Sequence, residues 1–455
     1  MRILLVSVNR LRFPYPVYPV GLDYVAARIS PPHEVRILDL CPLEPHQVDD
    51  AVASAVTDFR PGAVGLSLRN IDNTDGTRVE AYVCQAQRIV NRVRAVSRVP
   101  VILGGAGFAI FPAELMRELD ADYGIVGEGE GLPDLLEALA AGRAPEGGPG
   151  VATRECPSPP RGARYVAARR PLVTTGLNPA MKWYIRNGGV LGMQTAAGCG
   201  SRCTYCTYPM IDGEWRARFP GLVAAGQALH LERAGARFIF LTDSVFNGDE
   251  AHALSVASAF QESGLRTPWA AMFAPVSPTD GFYATMAAGG CTHVEFGTEA
   301  LSDTMLERFR KPFRREDVVR AHRAAREAGL HVAHFFLLGG PGETADTVQE
   351  SLRAAEELEG AVHFTFCGVR IYPGTEIERV ARAEGQIGPD QSLLEPVYYR
   401  PPGLPPEALE ELVHRHAAGR RRWVIGDGSG RTGAVLARLH QRDHVGPLWE
   451  HLGAT

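Results

Sequence analysis

The chain has 455 residues, of which 45% are hydrophobic and 22% are charged, with a formal net charge of −5. This length exceeds one ordinary domain and fits two or three. The charge balance and the lack of a long basic run argue against nucleic acid as the main partner. No apolar run reaches the roughly 18 to 20 residues of a membrane span, and the short apolar run at the N-terminus lacks the features of a signal peptide. We therefore expect no membrane partner and a cytoplasmic location.

The first 140 residues alternate apolar strands with helical patterns. Strand-like runs lie at 2–8, 35–40, 63–68, 99–105 and 123–129. Helix-like segments lie near 20–29, 46–58, 77–96 and 112–119. Near-continuous apolar strands separated by helices are typical of a parallel sheet covered on both faces. The pattern predicts a doubly wound α/β domain over 1–140, which would bind a ligand at the carboxyl ends of its strands.

A second series of strands and helices follows a Pro/Gly-rich segment, which predicts a linker over 141–185. Six strand-like runs lie at 190–195, 236–243, 269–274, 292–299, 331–340 and 364–373, with helical periodicity between them, for example at 222–234 and 315–328. These units predict a partial parallel β/α barrel over 186–390, with its chemistry at the carboxyl ends of the strands. The tail, 391–455, indicates a small, mostly helical C-terminal extension, for which packing against the barrel is favoured over a substrate lid.

Three of the eight cysteines fall within eight residues, at Cys199, Cys203 and Cys206, just after the first barrel strand. Three thiolates on one loop can hold an iron–sulfur cube and leave its fourth iron open for a chelating ligand. A structural zinc would need a fourth cysteine or histidine nearby, and the loop contains none. The spacing therefore favours a [4Fe–4S] cluster, with structural zinc as the alternative. The other five cysteines are scattered singly and indicate small core or surface residues.

The spacing Cys-x3-Cys-x2-Cys with an aromatic residue, Tyr205, before the last cysteine resembles the radical S-adenosylmethionine superfamily. The resemblance covers 185–385. It implies that the open iron binds the amino and carboxylate groups of S-adenosylmethionine. It also implies that an electron donor such as flavodoxin or ferredoxin reduces the cluster, so that a 5′-deoxyadenosyl radical forms.

Further strand-end residues resemble the contacts that this family makes with S-adenosylmethionine. With Tyr205, they are Asp243, Ser244, Thr298, Glu299, Gly340 and Arg370. Each alone has an ordinary alternative, since a strand-end glutamate is as often a solvated or capping residue, and the Gly-Gly-Pro-Gly-Glu segment is by itself a turn. Their common position at strand ends is what favours the family role.

The phrases around the cysteines, at 194–198 and 207–209, resemble a subgroup that carries an N-terminal cobalamin domain. This subgroup often has an arginine where this chain has Ala197, so another residue, for which Arg202 is a candidate, would take its part. Segments of the first domain at 65–74, 102–115 and 126–136 also resemble cobalamin-binding domains. The predicted cobalamin contacts are Arg69, Asn70, Gly104, Gly105, Glu128 and Gly129.

These cobalamin assignments have alternatives too. The glycines are equally consistent with a nucleotide-type site or with tight turns, and Glu128 with a cap on the helix that begins near Leu132. The loop at 9–21 contains no histidine, so the cobalt is not expected to take a histidine ligand from it. Arg69, a poor metal ligand, is a candidate for the lower face of the corrin, where it would keep the lower site empty or water-bound. Pairing with Asp72 or Asp75 is the alternative.

The resemblance as a whole is to cobalamin-dependent radical S-adenosylmethionine enzymes of the class B methyltransferase type. It implies that a methyl group passes from S-adenosylmethionine, via methylcobalamin, to a carbon of a small-molecule or peptide substrate, in specialised metabolism such as natural product biosynthesis. Two alternatives stay open: a cyclase or rearrangement enzyme without net methyl transfer, and a non-catalytic cobalamin-binding module. No catalytic acid or base can be assigned. His331 and His334 are three residues apart on a strand, so they face opposite sides and form no metal pair.

Overall fold

The computed structural model describes residues 1–159, 178–213, 217–426, 428 and 431–453. The chain forms two compact units. The first comprises residues 1–73, 81–187 and 210–212, and the second comprises residues 74–80, 188–209 and 213–455. Residues 160–177 of the predicted linker lie outside the described part. Among the helices that the structure describes, none is both long enough and apolar enough to cross a membrane.

A six-stranded sheet forms the centre of the first unit. Its strands are β1 (Arg2–Ser7), β2 (Glu34–Asp39), β3 (Ala63–Ser67), β4 (Val101–Gly104), β5 (Tyr123–Ile125) and β6 (Val151–Thr153). Their order is β2-β1-β3-β4-β5-β6, and β1 to β5 are parallel, whereas β6 pairs antiparallel with β5. The strand order reverses its direction between β1 and β3, which confirms the predicted doubly wound α/β fold.

Helices accompany this sheet at α1 (Val20–Arg28), α2 (Val48–Phe59), α3 (Val83–Val96), α4 (Ala106–Ile110), α5 (Pro112–Glu118), α6 (Leu132–Ala140) and α7 (Met181–Asn187), with a 3₁₀ turn at Pro45–Gln47. Leu5 of β1 packs with Leu22 of α1 and Leu135 of α6 in one buried cluster. The helix predicted over 77–96 begins only at Val83. The earlier residues instead form an antiparallel bridge between Asp72 and Ala81.

A seven-stranded parallel sheet organises the second unit. Its strands are β7 (Val190–Met193), β10 (Phe238–Leu241), β11 (Trp269–Phe273), β12 (Cys291–Glu299), β13 (His331–Leu338), β14 (Val362–Cys367) and β17 (Trp423–Ile425), in the order β17-β14-β13-β12-β11-β10-β7. Two short antiparallel ladders join β8 (Ala196–Ala197) to β9 (Ala217–Arg218), and β15 (Val369–Arg370) to β16 (Tyr398–Tyr399). The six predicted barrel strands are confirmed, and β17 is an addition from the tail.

The helices from α8 onward follow the strands of this sheet. They are α8 (Tyr208–Ile211), α9 (Gly221–Ala234), α10 (Glu250–Glu262), α11 (Phe282–Ala288), α12 (Asp303–Arg308), α13 (Arg315–Glu327), α14 (Ala345–Ala355), α15 (Glu376–Ala383), α16 (Pro406–Ala417), α17 (Arg431–Gln441) and α18 (Glu450–Gly453), with a 3₁₀ turn at Phe246–Gly248. The tail is therefore mostly helical, as predicted, but its strand β17 extends the sheet beside β14.

The two faces of this sheet carry different partners. On β12, the ring of Phe296 packs edge-on against Tyr283 of α11, so this face meets the helices. The alternate residue Glu295 faces the other way, where it accepts a hydrogen bond from Trp449 Nε1 at 2.9 Å. Trp449 and Leu452 join a buried cluster on this second face. The end of the tail therefore packs against the sheet face opposite the helices.

Candidate active site

The loop at 194–207, here called the cluster loop, joins β7 to α8 and carries the three predicted cluster cysteines. Two backbone hydrogen bonds hold it. The Cys199 N–H donates to the carbonyl oxygen of Gly213 at 3.1 Å, and the Thr204 N–H donates to that of Phe309 at 3.3 Å. The loop is thus fixed on both sides of the Cys-x3-Cys spacing, by its own continuation and by the segment after α12.

The three thiols form one electrostatic group. Burial, together with the Cys203 and Cys199 thiols, raises the pKa of the Cys206 thiol to about 12. Burial likewise raises the pKa of Cys203. Without metal the Cys203 and Cys206 thiols are therefore protonated, and binding of iron would displace their protons.

The donor set of the cluster loop consists of thiols only. Between 194 and 207 no fourth cysteine or histidine accompanies the three cysteines, whereas a structural zinc usually has four such ligands. In a cubane each thiolate binds a different iron, so three thiols would leave one iron open. Within the described residues, no three His, Cys, Asp or Glu side chains are arranged to hold one metal ion.

Asp243 follows β10 and anchors the start of the cluster loop. Its Oδ1 accepts hydrogen bonds from the backbone N–H groups of Thr195 and Ala196, at 2.6 and 3.0 Å. Its Oδ2 accepts from the Thr195 hydroxyl, which also lies 3.2 Å from His252 Nε2. Both carboxylate oxygens therefore have partners within the chain. The predicted contact of Asp243 with S-adenosylmethionine stays a prediction, as does that of the half-buried Ser244 beside it.

Glu299 ends β12 in a strained conformation. Its φ is 57°, a left-handed value that non-glycine residues seldom adopt, and the pairing of β12 with β13 is irregular between Gly297 and Glu299. Such irregularities re-aim side chains at strand ends. Here Glu299 Oε1 accepts a hydrogen bond from the Tyr205 hydroxyl at 2.6 Å. Burial, followed by the Glu299 charge, holds the pKa of Tyr205 well above its ordinary value, so the phenol is the donor.

Lys311 completes this group, and sequence reasoning missed it. Its ammonium lies 2.8 Å from Glu299 Oε2, and both side chains are largely buried. Burial lowers the pKa of Lys311, but Glu299 and Cys203 outweigh it, so the net pKa stands above the ordinary value. Phe309 braces the same place, with its ring edge-on to Tyr205 at 5.4 Å. The only signal in the sequence was a basic residue within Arg-Lys-Pro-Phe-Arg, which is typical of an exposed turn.

Thr298 lies on the helix-facing side of β12. It is fully buried, and its hydroxyl lies 2.7 Å from His334 Nδ1. His334 Nε2 lies 3.1 Å from His322 Nδ1, and His322 Nε2 lies 3.2 Å from the carbonyl oxygen of Glu359. Burial lowers the pKa of His322 to about 4, so the chain is neutral and runs by donation from Thr298 towards that carbonyl. The predicted contact of Thr298 with S-adenosylmethionine stays a prediction.

Gly340 and Arg370 have packing roles in the structure. A Cβ on Gly340 would lie 2.5 Å from the Phe309 ring, so only glycine allows that ring to brace Tyr205. The Arg370 guanidinium donates to the carbonyl oxygens of Ile371 and, at 2.7 Å, Leu393, and thus ties β15 to the tail. Their predicted contacts with S-adenosylmethionine also stay predictions.

The predicted cobalamin residues lie at the carboxyl ends of three adjacent strands of the first unit. Arg69 and Asn70 follow β3, Gly104 ends β4 and Gly105 follows it, and Glu128 and Gly129 follow β5. Gly105 has a φ of 96°, and a Cβ there would lie 2.6 Å from the carbonyl oxygen of Leu68, so the β3 and β4 loops pack backbone to backbone. This edge fits a large ligand laid across strand ends.

The capping role considered for Glu128 is wrong. Helix α6 does begin at Leu132, but its N-cap is Gly131 and no side chain caps it. Glu128 instead lies 3.6 Å from Arg28 of α1, and Glu130 accepts a hydrogen bond from the Glu128 N–H at 2.9 Å. These carboxylates are therefore held at the ligand edge of the first unit.

Two family models match the chain in successive regions. The B12 binding domain matches residues 6–136, and the Radical SAM superfamily matches residues 193–355. The second match contains the three cysteines together with Tyr205 and Glu299. The first contains the glycine-bearing strand ends of the first unit.

The chain is also similar to curated methyltransferases. It is 28% identical to an uncharacterized methyltransferase of Pyrococcus horikoshii, over 81% of this chain and 79% of the relative. It is 24% identical to the tryptophan 2-C-methyltransferase of Streptomyces laurentii, over 79% of this chain and 71% of that enzyme. It is 25% identical to the cytidylyl-2-hydroxyethylphosphonate methyltransferase of Streptomyces wedmorensis, over 86% of this chain and 83% of that enzyme.

Solved structures show the same fold. The radical S-adenosylmethionine methyltransferase TsrM of Kitasatospora setae, with cobalamin and a [4Fe–4S] cluster bound, superposes with a TM-score of 0.87 at 23% identity, covering 100% of this chain and 97% of that one. The cobalamin-dependent S-adenosylmethionine radical enzyme OxsB superposes with a TM-score of 0.72 at 14% identity, covering 97% of this chain and 71% of that one. The chain thus carries a B12 binding domain followed by a radical SAM domain, and it has the fold of these two cobalamin-dependent radical S-adenosylmethionine enzymes.

Proposed function

We propose that the chain transfers a methyl group from S-adenosylmethionine, by way of cobalamin, to a carbon of a small-molecule or peptide substrate. The observation that carries the proposal is the cluster loop, in which three thiols and no fourth cysteine follow the first strand of a parallel sheet. The three curated relatives described above, each matching 79% or more of this chain, are methyltransferases, which supports the same reaction class.

The chain's own residues hold and orient the reactants in this proposal. When bound, the cluster supplies one-electron chemistry and the corrin carries the methyl group. Cys199, Cys203 and Cys206 would hold the cluster. Ser244 and Glu299 are the strand-end side chains that we propose to face S-adenosylmethionine.

Other strand-end residues hold the segments around the site in place. Asp243 anchors the cluster loop, Arg370 ties down the tail, and Gly340 admits the Phe309 ring. The ring in turn packs against Tyr205 and helps to keep water from the cluster side of the loop.

The acceptor is a small molecule or peptide of specialised metabolism in this proposal. Two relatives are named for tryptophan and for a cytidylyl-linked phosphonate, so what their names share is methyl transfer and not one ligand class. A low-potential donor such as flavodoxin or ferredoxin would supply electrons. All eight cysteines are free thiols, which suits the reducing cytoplasm where we infer that the enzyme works.

The first half of the reaction can be tested without knowing the acceptor. Protein reconstituted anaerobically with iron, sulfide and cobalamin, then reduced, is given S-adenosylmethionine labelled in its methyl group. We expect label on the bound corrin, read by its absorption and by mass, and none with Cys203→Ala. A loaded wild-type protein that places no label on the corrin would contradict the proposal. With tryptophan as the first trial acceptor, a product without one added methyl would favour cyclisation or rearrangement.

We propose further that Arg69 faces the lower side of the corrin. The residue follows β3 and lies at the same sheet edge as Gly104 and Gly105, and the loop at 9–21 has no histidine. An arginine cannot readily lose its proton to become a ligand. We expect Arg69→Lys to change the absorption spectrum of bound cobalamin, while Arg98→Lys, a change in the segment between α3 and β4, leaves it unaltered. A cobalamin spectrum and a methyl-transfer rate identical to those of wild type would contradict this place for Arg69.

A further inference from the structure

We propose that Lys311 is a positioning residue for the cluster, whose ammonium places a positive charge beside the cluster loop and raises the reduction potential of the bound cluster. The inference rests on the iron–sulfur site assigned above. It adds a residue that lies outside the cysteine spacing and outside the predicted contacts with S-adenosylmethionine.

The first observation is where Lys311 lies. Its side chain is 8% exposed, although an ammonium is costly to bury unless it is paired. The chain's other lysine, Lys182, is exposed in α7. The Lys311 backbone N–H donates to the carbonyl oxygen of Leu306 at 2.9 Å, so Lys311 lies in a short turn after α12.

The second observation is that Lys311 lies against the cluster loop. Its Nζ lies 2.8 Å from Glu299 Oε2, and Glu299 Oε1 accepts the hydrogen bond of the Tyr205 hydroxyl. The Nζ is also 5.6 Å from the centre of the Tyr205 ring, and Tyr205 stands between Cys203 and Cys206. Lys311 therefore places its charge next to the segment that carries two of the three thiols.

Two aromatic rings lie near the Lys311 ammonium. The Lys311 Nζ lies 5.6 Å from the centre of the Tyr205 ring and 5.7 Å from that of Phe313. Rings at these distances favour a cation and keep water away. The ammonium thus acts in a low-dielectric setting, where its field on a neighbouring thiolate is stronger than at a protein surface.

A purely structural ion pair is the alternative. Buried ion pairs are weak evidence for stability, because desolvation offsets their attraction. Tyr205 already donates to Glu299 Oε1, so Glu299 would retain one partner without the lysine. The position of the ammonium against the cluster loop, 5.6 Å from the Tyr205 ring, is what a structural role leaves unexplained.

The sign of the effect follows from charge. One electron from the low-potential donor makes the bound cluster more negative by one unit, so a nearby cation favours the reduced state and a nearby anion opposes it. Charge, hydrogen bonds to sulfur and exposure are the terms by which a protein sets such potentials.

The test is a potentiometric titration of anaerobically reconstituted full-length protein, read by electron paramagnetic resonance. We expect Lys311→Met to shift the reduction equilibrium towards the oxidised cluster at least tenfold, equal to about 59 mV for one electron. Glu299→Gln should shift it the other way, and the double variant should return towards wild type. Lys182→Met removes the same charge from α7 and should leave the potential unchanged.

Iron content separates the possible failures. If wild type binds no iron, the cluster assignment itself falls. If Lys311→Met binds iron like wild type but keeps its potential, the inference about Lys311 is overturned while the cluster stands. If Lys311→Met retains no iron, Glu299→Gln decides, since a raised potential supports the inference, whereas an unchanged or lowered one contradicts it. Shifts in the same direction for both single variants would show a structural effect and overturn it too.

Discussion

The Tyr205 hydroxyl donates a 2.6 Å hydrogen bond to Glu299 Oε1 and thereby joins the cluster loop to the end of β12. The aromatic residue before the last cysteine thus has a polar task as well as a packing task. We expect Tyr205→Phe to leave a buried carboxylate oxygen with one partner fewer, at about 1 to 2 kcal/mol. The measurement is thermal unfolding of the cofactor-free chain. The nearby Tyr208 is exposed, so Tyr208→Phe should change little, and equal effects of the two variants would contradict this role.

Asp243 is predicted to act as an anchor before any cofactor binds. Asp243→Asn keeps the shape but weakens three hydrogen bonds from Thr195 and Ala196. We expect a loss of about 2 kcal/mol or more, seen as a lower thermal midpoint without S-adenosylmethionine, and weaker retention of iron. An unchanged midpoint together with weaker binding of S-adenosylmethionine would instead assign Asp243 to the ligand alone.

Glu295 makes stability depend on pH near neutrality. Burial raises its pKa from 4.5 to about 7. Between these two pH values the folded chain keeps a proton on Glu295 that the unfolded chain has released. Stability from this group is complete at low pH and is lost as pH rises towards 7 and above, at a cost of about 3 kcal/mol. Glu295→Gln lacks this cost and still accepts from Trp449. We expect the difference in thermal midpoint, Glu295→Gln minus wild type, to be larger at pH 8 than at pH 5.

Exposed Glu307 supplies the comparison for Glu295. Glu307→Gln should give a midpoint difference from wild type that does not change with pH. If the advantage of Glu295→Gln were equal at pH 5 and pH 8, burial of an acidic proton would not be its cause.

His363 has the opposite pH dependence. Its ring packs 4.7 Å from Trp423, and burial lowers its pKa to about 3. The neutral form is required in the folded chain, so stability falls as pH drops below about 6.5 towards the folded pKa, by about 2 kcal/mol at pH 5. We expect His363→Phe to gain on wild type between pH 7 and pH 5 in the same thermal assay. The exposed His414 should show no such gain as Phe.

The sequence predicts the sheets and the cluster cysteines because both follow from local pattern. Short, mainly apolar segments mark β1 and β7, and the thiol spacing lies within one loop. Strand β17 was missed because three residues carry no periodicity of their own. Lys311 was missed because a buried partner cannot be distinguished from an exposed lysine without knowing the direction of the side chain.

The strand-end polar residues show the same limit. The sequence places Asp243 and Thr298 at strand ends but cannot say which face each side chain takes. Thr298 faces the helices and His334, while the next residue, Glu299, has a left-handed φ and faces Tyr205. A shift of one residue along β12, together with the irregular pairing there, determines whether a side chain packs against the helices, as Thr298 does, or lies at the site, as Glu299 does.

The most direct test of the central claim is the iron and acid-labile sulfide content of the anaerobically reconstituted chain. We expect close to four irons and four sulfides per chain in a [4Fe–4S] protein. Cys199→Ala, Cys203→Ala and Cys206→Ala should each lose most of both, whereas Cys84→Ala, at an exposed thiol in α3, should retain them. Wild-type protein without iron and sulfide, or variants of the three cysteines that retain wild-type amounts, would contradict the account.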